Sequence, residues 1–113
     1  MHNHVSNLVQ WIGKEIDVRD PDFLDKWVLS LNSLSSNLDQ FAIDLSRSYL
    51  SKKASFDEAN GLLNQIMPIV GFDEAPKIFW QFYIAFEDYE HLDKPDIEAR
   101  KRIKTELEKI NEI

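Results

Sequence analysis

Pro76-Lys-Ile-Phe-Trp-Gln-Phe-Tyr-Ile-Ala-Phe-Glu-Asp-Tyr-Glu-His-Leu92 holds six of the thirteen aromatic residues of a 113-residue chain, and its spacing decides the fold. With Phe79 at zero and ~100° per residue, Phe82, Tyr83 and Phe86 fall within about 60° of it, so one face of a helix over about 76–92 is apolar and buried. Trp80, Ile84, Glu87 and His91 follow at i, i+4, i+7 and i+11, forming a second stripe centred roughly 110° away. A helix with two such stripes touches two things. The second is either another helix of the same bundle or a partner, and the residues leave both open.

Working outward, Asp93-Lys-Pro-Asp96 reads as a turn that passes into a last helix carrying Ile97, Ile103, Leu107 and Ile110. Upstream, Ser55-Phe-Asp-Glu58 has the Ser-x-x-Glu form of a capping box, followed by Leu62, Leu63, Ile66 and Met67 on one face of a further helix. Pro68 is expected to stop or kink that helix just before Ile69, with a loop to about Glu74. From Phe23 to Tyr49 apolar residues keep a three-and-four spacing, which predicts one long helix over about 21–51, started by Asp20-Pro21 and closed by Lys52-Lys-Ala54. The polar insert Asn32-Ser-Leu-Ser-Ser-Asn37 interrupts the apolar pattern, but the register on its two sides is in phase. A short first helix is predicted over about 4–16. Runs of alternating β-branched residues and repeats of solenoid period are both missing from the sequence, so the expected fold is an all-α, single-domain bundle of about five helices.

Composition narrows the function classes. With 43% hydrophobic residues the chain can build a core, and without cysteine it has neither disulfides nor thiol chemistry. No apolar run nears the ~20 residues of a membrane span, and the first residues lack the basic-then-apolar pattern of a secretory signal, so a cytoplasmic location is expected. Twenty acids against thirteen bases give a formal charge of -7, which opposes binding to nucleic acid or to an anionic membrane. Solubility alone accounts for such acidity in many proteins.

Chemistry-bearing patterns are sparse. Asp88 and His91 are three apart, one quarter of a helical di-iron site, but the other histidines are His2 and His4, so no metal or other cofactor is expected. Glu87, Asp88 and Glu90 lie beside aromatic rings, where a raised pKa would suit acid-base catalysis, but a structural carboxylate paired with Arg47, Lys77 or a base of the last helix is the simpler reading. Phosphate loops, nucleophile elbows and zinc spacings do not occur in the sequence. Arg100-Lys-Arg-Ile-Lys104 spreads its charge around the last helix among Glu98, Glu106 and Glu108, as a solvated face does.

Protein binding remains the best reading of the second stripe. Trp80 and Ile84 are the expected anchors, with Glu87, Asp88 and His91 completing the candidate site and acids on its rim to attract a basic protein partner. If Trp80 and Ile84 are buried, the acids of residues 15–25 or the loop Gly71–Glu74 become the next candidates. In size, acidity and helicity the profile is similar to that of small immunity proteins that bind toxins, although no motif carries the likeness. An inhibitor of a basic toxin is therefore the first reading, a helical adaptor or regulatory subunit the second, and an enzyme with an unrecognised carboxylate site the third. A homodimer is compatible with the pattern.

Overall fold

A computed structural model describes residues 34–110, with side chains from Ser36 onward. The expected first helix, the long helix up to residue 33, the acids of residues 15–25, and His2 and His4 all lie outside the described residues. Within them the chain is all-α. It forms α1 (Leu34–Leu50), α2 (Phe56–Val70), a 3-10 helix (Phe72–Glu74), α3 (Lys77–Glu87) and α4 (Asp96–Lys109). No helix among the described residues is long and apolar enough to cross a membrane.

The aromatic helix is the hub. α3 packs on α1, α2 and α4, most extensively on α1. Phe79, Phe82 and Phe86 are fully buried and Tyr83 nearly so, as the wheel requires, and each such side chain contributes about 1.5–3 kcal/mol by leaving water. Phe86 meets Tyr49 of α1 and Phe56 of α2 with ring centroids 5.2 and 5.8 Å apart, so one aromatic cluster joins three helices. Edge-to-face and tilted geometries at these separations are the favoured ones for aromatic pairs.

Helix ends are set by both local and distant groups. The capping box at α2 forms as expected: the Glu58 N–H donates to Ser55 Oγ at 3.1 Å, and the Ser55 N–H donates to Glu58 Oε1 at 2.9 Å. α1 ends in a Schellman turn, with the Lys53 N–H on the Ser48 carbonyl at 2.9 Å and the Lys52 N–H on that of Tyr49 at 3.1 Å. Lys52 takes the left-handed position of that turn, at φ 69°. At α3 the N-cap is Pro76, which has no side-chain acceptor to offer. Asp39 of α1 caps it instead, accepting the Phe79 N–H at 2.7 Å.

Three expectations need correction. Of the stop or kink expected at Pro68, the stop does not occur: α2 continues to Val70, because proline in the last turn loses only its own hydrogen bond while the Gly71 N–H still reaches Met67 at 2.8 Å. Gly71 ends the helix, at a φ of 92° that side-chain-bearing residues seldom adopt. The aromatic helix ends at Glu87, not Leu92: Tyr89, Glu90 and Leu92 bond three residues back, to Phe86, Glu87 and Tyr89, in successive tight turns. In α4, Ile97 is 66% exposed, since it lies roughly 120° from Ile103 on the wheel; Ala99 takes its place in the core.

Candidate interaction surface

The second stripe of α3 separates into parts with different surroundings. Trp80 is 39% exposed, while Ile84 is partly buried and packs against the core. Glu87 Oε2 accepts the Tyr83 hydroxyl at 3.0 Å. Burial first, then this hydrogen bond, pushes the Tyr83 phenol up from 10.0 to about 12. Asp88 follows the last turn of α3 and is tied to α4 by Arg102 at 2.9 Å. His91 sits in the turn that follows and is exposed. Trp80 and Glu87, seven residues apart, share one face of α3, Ile84 packs against the core, Asp88 continues the helix with its N–H on the Ile84 carbonyl at 3.0 Å, and His91 lies beyond the helix end.

A residue that the wheel does not reach completes the surface. Phe72, on the 3-10 helix, is 56% exposed, and its ring lies 6.0 Å from both Trp80 and Tyr83, nearly perpendicular to each. Trp80 and Tyr83 themselves are 5.6 Å apart and tilted by 30°. Three rings thus form a continuous cluster whose inner member, Tyr83, is only 6% exposed and whose outer members face water. Asp73 and Glu74, both exposed, follow Phe72 directly, and Glu87 lies beside Tyr83. Against these three acids the nearest base along α3 is Lys77, one turn before Trp80. A loop aromatic followed by two acids and bounded by glycine and proline was the available sequence signal, since a large apolar side chain in a connection has no periodicity to place it.

Elsewhere the carboxylates are spent on structure. Glu90 accepts from the amides of Asn60 and Asn64 of α2 at 3.0 and 3.1 Å, not from a base as expected. Those two bonds hold its carboxyl below the ordinary range, the opposite of what a general acid needs. Glu106, buried in α4, accepts from Gln81 of α3 at 2.7 Å and from Arg102 at 2.8 Å, with Lys109 at 3.4 Å. Burial acts to raise its pKa, but Arg102, Gln81 and Lys109 outweigh it and lower the value. At the other end of α4, Asp96 accepts the Tyr49 hydroxyl at 2.6 Å and Arg100 Nε at 3.0 Å, while the Arg100 guanidinium lies 4.6 Å over the Tyr49 ring.

An open groove of about 570 Å³ lies beside this last network, lined by Lys52, Lys53, Asp57, Glu58, Asp93 and Arg100 among others. Its lining mixes these bases with comparable numbers of acids, so it favours neither an anion nor a cation strongly. Among the described residues no three His, Asp or Glu side chains are arranged to hold a metal ion. No family model, no curated protein and no solved structure matches the chain.

Proposed function

We propose that the chain is a non-enzymatic, acidic protein-binding domain of the inhibitor or immunity type, which occludes a basic protein partner. The observation that carries this reading is the exposed Phe72 and Trp80 pair, resting on a buried core and bordered by Asp73, Glu74 and Glu87. An aromatic centre with a charged rim is the usual anatomy of a protein contact: the rings lose water on docking and dominate the binding energy, while the rim steers encounter. The formal charge of -7 extends that steering beyond the patch.

The experiment is affinity capture from the native organism at low and high salt. The expected result is a basic protein retained at low salt and released as screening shortens the reach of the acids. Capture of an acidic or neutral protein with no response to salt would instead support the adaptor reading.

A further inference from the structure

The chemistry of the patch narrows what kind of group it receives. Ring centroids 5.6 to 6.0 Å apart are in direct contact, so no cage is left between them for a quaternary ammonium to enter. Nucleic-acid bases stack on exposed aromatics, but each base brings a phosphate that three neighbouring carboxylates repel. A second copy of the chain brings the same acids and the same excess of negative charge. A flat cation meets neither obstacle, and against Lys77, the single base of α3, one turn before Trp80, stand the three acids Asp73, Glu74 and Glu87. Trp80 and Phe72 offer ring surface to stack on, and Glu87, whose Oε2 is engaged by Tyr83, has Oε1 without a hydrogen bond among the described residues and so able to accept an N–H.

Resting on the basic-partner reading above, we infer that the patch recognises an arginine-bearing segment of a partner protein, with the guanidinium stacked on Trp80 beside Phe72 and hydrogen-bonded to Glu87. Arginine is favoured over lysine because a planar, weakly hydrated guanidinium stacks on a ring and still presents its N–H groups at the edge, whereas an ammonium must shed tightly held water to do either. Asp73 and Glu74, on the turn that carries Phe72, add charge without being needed as partners.

The test uses capped triarginine and capped trilysine peptides, titrated into the isotope-labelled full chain and followed by nuclear magnetic resonance. The Trp80 indole signal is assigned by its loss in Trp80→Phe. Triarginine should move the Trp80 and Phe72 signals and bind about two- to fivefold more tightly than trilysine of the same charge. Glu87→Gln should weaken triarginine by a further factor of about two to five, with the spectrum otherwise that of the folded wild type. Phe72→Ser, at an exposed position, should lower the preference for arginine without unfolding the chain. Equal affinity for the two peptides, or shifts confined to other acidic regions, would overturn the arginine inference while leaving a basic partner standing. Absence of any bound basic protein in the capture experiment would overturn the broader reading instead.

Discussion

Removing the Asp39 carboxylate should unseat the aromatic helix. Phe79 is fully buried, its N–H donates to Asp39 Oδ1 at 2.7 Å, and Pro76 provides no local substitute as a cap. A hydrogen bond from a backbone N–H to a charged acceptor contributes about 1.5–3 kcal/mol, and a carboxylate at a helix N-terminus gains about 0.3–1 kcal/mol from the dipole, more where partly buried. The two overlap, so Asp39→Ala should cost about 2–3 kcal/mol, a large share of the roughly 5–15 kcal/mol that holds a domain together. Asp39→Asn keeps an acceptor and loses the charge, and its cost should be about half as large. Urea unfolding followed by circular dichroism measures both. If both variants stay within about 0.5 kcal/mol of wild type, the cap does not form in solution.

Ser46 is fully buried and its hydroxyl has no hydrogen-bond partner among the described residues, so Ser46→Ala should raise stability by about 0.5–2 kcal/mol; a loss instead would show that the hydroxyl is bonded in solution. Lys52, at φ 69°, holds a position that glycine takes without steric cost, and Lys52→Gly should raise the urea midpoint by the equivalent of about 0.5–1 kcal/mol. Asp96, Glu90 and Glu106 all have lowered pKa values, so on acidification the unfolded chain takes up protons first; stability present above the ordinary carboxylate range should fall as pH drops through the native values, and Asp96→Asn should flatten that acid limb. At high pH the sign comes from Tyr83, which keeps its proton to about 12 in the fold against 10.0 when unfolded, so stability should decline across that interval and Tyr83→Phe should remove part of the decline.

What was legible in the sequence was local. The capping box Ser55–Glu58, the buried stripe Phe79–Phe86 and the Asp96 start of α4 each follow from spacing within a turn or two, and each is found. What was not legible spans long distances in the chain. The early end of α3 goes with Glu90 held by Asn60, 30 residues away, and with Asp88 held by Arg102, 14 residues away. Asp39 caps a helix 40 residues downstream, and no local motif announces it. Trp80 and Glu87 were visible because they ride on a periodic helix; the loop Gly71–Glu74 ranked only as a fallback, because a turn opened by Gly71 sets the direction of Phe72 and that turn has no period.

The proposed basic partner is expected to bind on the surface centred on Phe72 and Trp80. The most direct measurement of this is the affinity of the captured partner for wild type and for a Phe72→Ser, Trp80→Ser double variant whose helical spectrum is unchanged. Truncation of central aromatic anchors costs about 2 kcal/mol or more, so a loss of at least about 30-fold is predicted, carried mainly by faster dissociation. An affinity equal to wild type in the folded double variant would show that the partner binds elsewhere.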